Sequence, residues 1–351
     1  MTHPEARRPG DAVVHEEGVM RRLVIRRGLV CLSVLVALSA AGPAFAQDGI
    51  AKKYLRDAGI ENDPDVIVAE MFEGTSVASI VSRWTSAGND AGMSLVSDVP
   101  PQSGGTRSLL MTSVGGSNTG GQLYKKLAPG HDQLYFRYYV KYASSNTYHH
   151  TGGWIGGYNP LTDWPQGGAG ERPTGNDRFS IGAEPVNTAQ RFDLYTYWMG
   201  MRPSPTGEFW GNTFIQNPSV ALTADRWTCI EVMVKMNDPV SASNGELALW
   251  IDGTQVIHLR EGSPLGRWNL NMFFPDATGS PFEGFQWRNA SQLNLNWIWL
   301  LYYTTGNPSG FVGKVWFDHA VVAKKYIGPI STAPPVGDML PPAAPAGVRV
   351  Q

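Results

Sequence analysis

The sequence predicts an all-β protein, a single domain built as a sandwich of two antiparallel sheets. Three observations lead there. With 40 Gly and 25 Pro among 351 residues and only 17% charged residues, the composition is that of a turn-rich chain and not of a helical bundle. Between Val66 and Ile327, about fifteen short segments have β character, set apart by Gly and Pro. No long segment keeps a 3.6-residue period, and only Ile50–Ala58 reads as a short helix. With 42% hydrophobic and 11% aromatic residues and a net charge of −2, the chain can bury a real core; disorder throughout is excluded, and so is nucleic-acid binding driven by bulk charge.

The strands are justified one by one by their period of two. Leu134–Lys141 puts Leu134, Phe136, Tyr138 and Val140 on one face and Tyr135, Arg137, Tyr139 and Lys141 on the other. Phe192–Met199 sets Phe192, Leu194, Thr196 and Trp198 against Asp193, Tyr195, Tyr197 and Met199. In Trp227–Met236 the apolar face is Ile230, Val232, Val234 and Met236, opposite Cys229, Glu231, Met233 and Lys235. Glu246–Ile251 and Thr254–Leu259 flank Asp252-Gly253, a type I′ hairpin signal. Leu293–Tyr303 and Lys314–Ala323 close the series.

The strands run without a linker, so residues 66–328 form one domain. Residues 47–65 read as a loosely docked N-terminal arm, and 329–351 as a disordered Pro/Ala-rich tail. Residues 1–46 read as an upstream extension and a signal peptide: Arg21, Arg22, Arg26 and Arg27 precede an apolar run from Gly28 to Ala41, then an Ala44-Phe45-Ala46 cleavage signal. The expected location is secreted or periplasmic, with no membrane contact after cleavage. Of the two cysteines only Cys229 remains beyond that point, so no intrachain disulfide is available. Its place in an alternating strand suits a buried small hydrophobe.

So many strands solve their edge problem best as a two-sheet jelly roll, in which one sheet curves to leave a groove. A row of basic and aromatic residues does not belong between two sheets, so Tyr135, Arg137, Tyr139 and Lys141 are expected to line that groove. Twelve Trp are present, and Trp154, Tyr158 and Trp164 fall in the Gly-rich stretch 151–175. Flat rings beside hydrogen-bonding groups suit sugars, whose faces are apolar and edges polar. The expected partner is a polysaccharide, and the expected state is a monomer.

Four segments carry a family resemblance. Leu134–Tyr142 (LYFRYYVKY) resembles a strand of jelly-roll polysaccharide lyases, nearest the glucuronan lyases and related secreted proteins produced with fungal cellulases. Met71–Gly74 (MFEG) is similar to their opening segment. Arg226–Asn237, followed by Asn244–Gly253, resembles a W…E…N…NG…W-DG hairpin found across concanavalin-like sandwiches, and Val315–Ala323 resembles their closing strand. Together these span 71–327. The resemblance implies a concanavalin-like jelly roll and β-elimination at a uronic acid. Where the relatives carry His and Arg two residues apart, this chain has Asp177–Glu184, with Arg178, Ser180 and Glu184 in their place.

β-Elimination needs a donor to neutralise the carboxylate, a base for the C5 proton and an acid for the leaving oxygen. Arg137 is the expected neutraliser, since guanidinium pairs carboxylate in a bidentate manner. His149 or His150 is the expected base, with Tyr139, Tyr148 or Tyr197 handling the second proton. Tyr135, Lys141, Trp154, Tyr158, Trp164, Arg178, Glu184, Tyr195 and Glu231 are the expected substrate contacts. Glu184 and Glu231 are also the carboxylates a hydrolase would need, and binding without cleavage is the remaining alternative. The resemblance further implies a structural Ca2+ held by Glu73, Ser103 and Asp318, with backbone carbonyls completing the shell.

Overall fold

The computed structural model describes residues 48–144, 148–186 and 190–333. The stretch read as extension and signal peptide, and the Pro/Ala-rich run beyond 333, lie outside them. Seventeen strands follow in chain order: β1 (Val66–Glu70), β2 (Ser86–Gly88), β3 (Met93–Val96), β4 (Ser108–Val114), β5 (Gly120–His131), β6 (Gln133–Tyr142), β7 (His150–Tyr158), β8 (Arg178–Val186), β9 (Arg191–Tyr197), β10 (Thr228–Lys235), β11 (Glu246–Ile251), β12 (Thr254–Leu259), β13 (Leu265–Asn269), β14 (Met272–Pro275), β15 (Ser280–Pro281), β16 (Leu295–Tyr303) and β17 (Val312–Ala323). Among the described residues one short α-helix, α1 (Val77–Val81), starts on a Ser76 capping box that the β-dominated pattern concealed, and the helix expected over Ile50–Ala58 is a 3-10 turn over Ile50–Lys53. Among the described residues no helix is long and apolar enough to cross a membrane.

The strands form the expected antiparallel jelly-roll sandwich. One sheet has eight strands, β12-β11-β10-β6-β17-β4-β3 with β1 also paired to β17; the other has six, β2-β5-β16-β7-β8-β9; β14-β13-β15 make a small third sheet. The alternation assigned the inner faces. Leu134, Phe136, Tyr138 and Val140 of β6 and Ile230, Val232 and Val234 of β10 are buried against Ile155, Ile181, Ala183, Ile298 and Leu300 of the six-stranded sheet. The Asp252-Gly253 turn has positive φ at both residues, 50° and 78°, as a type I′ hairpin requires. Cys229 is buried and free, and burial pushes its thiol up to about 12.

The outer face of the eight-stranded sheet departs from expectation. Arg137 and Tyr139 do not line a groove, because the N-terminal arm and residues 326–330 lie over them; Lys141 lies beyond that cover, and only Tyr135 reaches a cavity, of about 500 Å³, which it shares with Asp48–Ile50, Lys52, Lys53 and Lys324–Tyr326. Ile50, Ala51 and Ile60 of the arm pack on Val321, Ala323 and Ile327. Arg137 is fully buried: its Nη1 donates to Gly328 O at 3.0 Å and to Asp57 Oδ1 at 3.3 Å, and its Nη2 pairs with Asp57 Oδ2. Burial opposes the guanidinium's charge, but Asp57 outweighs it and raises the Arg137 pKa. Tyr139 accepts from Ile330 N–H at 2.9 Å. Glu231 accepts from the N–H groups of Ile327 and Gly328 at 2.7 and 2.8 Å, and burial lifts its carboxyl to about 7. Lys141 pairs with Asp98 and lies 4.4 Å from the Trp316 ring centroid.

The arm is therefore tightly docked, and residues 329–331, read as the start of the tail, belong to the packed structure: Ile330 is buried and Ser331 bridges to Leu55. A row of aromatic and basic side chains satisfies an internal seal as well as a groove, because a buried cation needs only one well-placed carboxylate. In Arg137→Met, Asp57 stays buried without its main partner. A loss of about 3–5 kcal/mol is expected, measured as a lower urea midpoint; an unchanged midpoint would contradict the seal.

Candidate functional site

The groove that gathers most of the expected site residues lies on the outer face of the six-stranded sheet, and strand register builds it. On β16, Ile298 and Leu300 face the core, so Trp297, Trp299, Leu301 and Tyr303 face outward. On β7, Tyr303 lies opposite His150, Leu301 opposite Gly152, Trp299 opposite Trp154 and Trp297 opposite Gly156. On β8, Gly182 stands opposite Trp154, Ser180 opposite Gly156 and Arg178 opposite Tyr158. On β9, Tyr195 and Tyr197 continue the same rows. On β5, Gln122 pairs with Leu301 and Tyr124 with Trp299.

Two glycines on this face are steric necessities. A Cβ on Gly182 would strike the Trp154 indole, and one on Gly156 would strike Trp297 and the Phe179 carbonyl. The rings therefore lie down in space that small neighbours leave open. The resulting cavity of about 310 Å³ is lined by aromatic rings from three strands, β7, β9 and β16, with Gln122, Arg178, Ser180, His150 and the loop 166–169 adding polar groups. That mixture of apolar floor and few polar groups is typical of ligand sites.

At one end of the groove sits a histidine–carboxylate pair. His150 Nδ1 is 2.8 Å from Glu184 Oε1, with Glu184 1% exposed. The bond places the proton on Nδ1, leaving the Nε2 lone pair unprotonated in the neutral ring. Burial opposes a charged His150, but Glu184 outweighs it and raises the imidazole above its ordinary pKa of 6.5. His149 stacks on His150 at 4.5 Å; burial, and then the charge of His150, lower its pKa. Tyr195 and Tyr303 flank His150 with ring centroids at 4.9 and 6.4 Å.

Of the expected site residues, the structure thus gathers His150, Trp154, Tyr158, Arg178, Glu184, Tyr195 and Tyr197 in or against one groove, with His149 at its edge. Arg137, Tyr139 and Glu231 are sealed under the arm and residues 326–330 on the other sheet, Lys141 packs on Asp98 and Trp316 on that same face, and Tyr135 lines a separate cavity beside the arm. Trp164 is 45% exposed and projects from the loop at the groove's rim. Arg178 is held by Asp177 at 3.0 Å and by the carbonyls of Gly168 and Glu171 at 3.1 and 3.0 Å. Gln122, Trp297, Trp299, Leu301 and Tyr303 were missed. For the last four the signal was a strand, Leu295–Tyr303, with no charged residue on either face, so that both faces needed a cover or a ligand; Gln122, on β5, carried none.

The residues expected to hold calcium converge where β17 is bulged, with His319 at a φ of 47°. Glu73 Oε1 accepts from Thr106 and Arg107 N–H at 2.7 and 2.8 Å, and Ser103 Oγ is 2.7 Å from His319 Nε2. Asp318 Oδ2 is buried without a hydrogen-bond partner. Burial, then the nearby Glu73 charge, push the Asp318 carboxyl well above the usual range. An orphaned carboxylate oxygen beside a second carboxylate and a hydroxyl fits a hard cation, although among the described residues no group of three or more His, Cys, Asp or Glu gathers for a metal.

No family model matches the chain, and no curated protein matches it. Among solved structures it is similar to a marine alginate lyase from Aplysia kurodai (13% identity, 74% of this chain and 99% of that one, TM-score 0.49). It is also similar to an alginate lyase solved with an alginate tetrasaccharide (15% identity, 75% and 98%, TM-score 0.47). A third is a cellulose-induced protein (16% identity, 68% and 87%, TM-score 0.35). Likeness this loose decides nothing about chemistry; the fold class rests on the strand pairing itself.

Gly182→Ala is expected to displace the Trp154 indole at a cost of about 1–3 kcal/mol, seen as an altered near-ultraviolet circular dichroism band. An unchanged spectrum and midpoint would show that the ring does not depend on that glycine.

Proposed function

We propose that the groove binds a uronic-acid polysaccharide and that the protein cleaves it by β-elimination, with His150 as base. The observation that carries this reading is the His150–Glu184 pair standing at the end of a groove floored by aromatic rings. Glu184 holds the imidazole in the tautomer whose Nε2 can accept a proton. In the proposed step Nε2 takes the C5 proton, the electron pair forms the C4–C5 double bond, and the C4–O bond breaks. The Tyr303 hydroxyl, one strand from His150, protonates the departing oxygen. The Gln122 amide, lining the same groove, donates to the substrate carboxylate in the role first expected of Arg137.

One observation favours a second reading, binding without cleavage. Among the described groove residues, the guanidinium of Arg178 is already committed to Asp177 and two carbonyls. No other Arg or Lys lines the cavity to meet the developing charge.

The two readings part in an absorbance assay for unsaturated uronides on glucuronan and alginate. Elimination predicts a rise, reduced ~10²–10⁴-fold in His150→Ala and likewise in Tyr303→Phe. Retention of polymer without any rise supports binding alone. The base must be neutral, so activity falls as pH drops through the His150 pKa. Since Glu184 raises that pKa, the acid limb of kcat/KM should lie above pH 6.5 and move to lower pH in Glu184→Gln. A limb that stays in place would remove Glu184 from the account. His149, Tyr195 and Tyr303 are the other titratable groups facing His150.

We further propose that Glu73, Ser103 and Asp318 hold a structural Ca2+ that ties the closing strand to the opening segment. Chelator should then lower the melting temperature, and excess Ca2+ should restore it. Asp318→Asn should abolish that response; a melting temperature indifferent to chelator would contradict the site.

A further inference from the structure

The groove is not equally open along its length. At the His150 end, Tyr303 and Trp299 are half-buried. At the other end Trp297 is 1% exposed and Tyr124 on the neighbouring strand 0%, with Tyr158 beside them at 6%, as low as Trp154 in mid-groove. These three rings point out of the sheet and cluster apart from the main core, so the sandwich interior does not cover them. Their burial requires something lying on top.

The cover is the segment 162–171, and it is fastened at several points. Tyr124 OH donates to Thr162 O at 3.2 Å, and Gln166 N–H donates to Tyr158 OH at 3.1 Å. Arg178 Nη2 donates to the carbonyls of Gly168 and Glu171. Gly168 has a φ of 128°, and a Cβ there would strike the Arg178 guanidinium. Phe209 N–H closes the far side by donating to Gly170 O at 3.0 Å. A loop fixed by this many bonds to groove-face side chains is a wall. From Tyr303 to Trp299 the open floor spans four residues, about 13 Å of strand.

We infer that the groove is blind at this wall and takes a chain end, so that the protein works on polysaccharide termini and not on interior linkages. Arg178 is a positioning residue in this scheme: it holds the wall instead of meeting a carboxylate. The inference rests on the proposed polysaccharide groove and extends it from ligand class to mode of action. An interior segment would have to pass through the wall or turn away from the Trp154–Trp299 floor. A terminus can end against the wall with its last sugar beside Tyr158 and Trp297.

The test is calorimetric titration of the full chain with hexasaccharides from glucuronan, alginate and cellulose, each unlabelled, labelled with a bulky fluorophore at the reducing end, or blocked at the non-reducing end. For whichever unlabelled sugar binds, blocking one end should weaken binding roughly tenfold or more, about 1.4 kcal/mol, while blocking the other should change little. Arg178→Ala should restore tolerance of the blocked end by releasing the wall. Gly167→Trp, built where a Cβ meets nothing within 4 Å, should weaken the unlabelled sugar with unchanged folding. Equal binding of both end-blocked forms overturns the inference, as does absence of binding by every unlabelled sugar. Titrating the His150→Ala variant beside the wild-type chain separates the heat of binding from any heat of cleavage, so a failure of elimination leaves this result standing. Where cleavage occurs, absorbance should rise well ahead of viscosity loss; early collapse of viscosity counts against a blind groove.

Discussion

The buried pair of Arg137 and Asp57 decides which face of the sandwich is available. It fastens an arm with little regular structure across the eight-stranded sheet, and the 326–330 segment completes the cover through Glu231 and Tyr139. A charge pair at zero exposure contributes little net stability by itself, yet losing one member is costly, because the other remains desolvated. That asymmetry makes the pair a lock. With Arg137 and Tyr139 closed off on that outer face, the aromatic groove lies on the six-stranded sheet, whose sequence is aromatic where a solvent-facing strand would be polar.

The groove then follows from small residues under large ones. Gly156 and Gly182 lower the floor so that the indoles of Trp297 and Trp154 lie along it. The same strand, β7, brings His150 to the groove's open end and Tyr158 to its walled end. Chemistry and ligand length are in this way set by one stretch of backbone: the pair with Glu184 supplies the proton acceptor, and the distance along the strand to the loop sets how much chain fits.

The period-two pattern made the inner faces legible, since Leu134, Phe136, Tyr138 and Val140 alternate with polar or amphipathic neighbours and only one arrangement buries them. It could not say which outer face was open. Arg137 with its tyrosines looks the same from the sequence whether it meets a substrate carboxylate or Asp57, 80 residues away. The cover comes from residues 48–65 and 326–331, which have no periodicity to announce them. Half of the groove was nevertheless visible, because the Trp154 and Tyr158 rings in a Gly-rich stretch suit a sugar and Tyr195 and Tyr197 share one face of an alternating strand; the strand β7 that aligns His150 with Trp154 and Tyr158 was hidden by its glycines. The β16 row escaped notice because a strand apolar on both faces reads as buried core. The β17 bulge that turns Asp318 and His319 toward Ser103 is set by tertiary pairing and leaves no local mark.

The account stands on the six-stranded sheet being the ligand face. A crystal structure of the protein soaked with an acidic oligosaccharide tests this most directly. It should show sugar rings stacked over Trp154 and Trp299, with one ring within hydrogen-bond reach of His150 Nε2. Density over Tyr135 and the arm, with the aromatic groove empty, would contradict it.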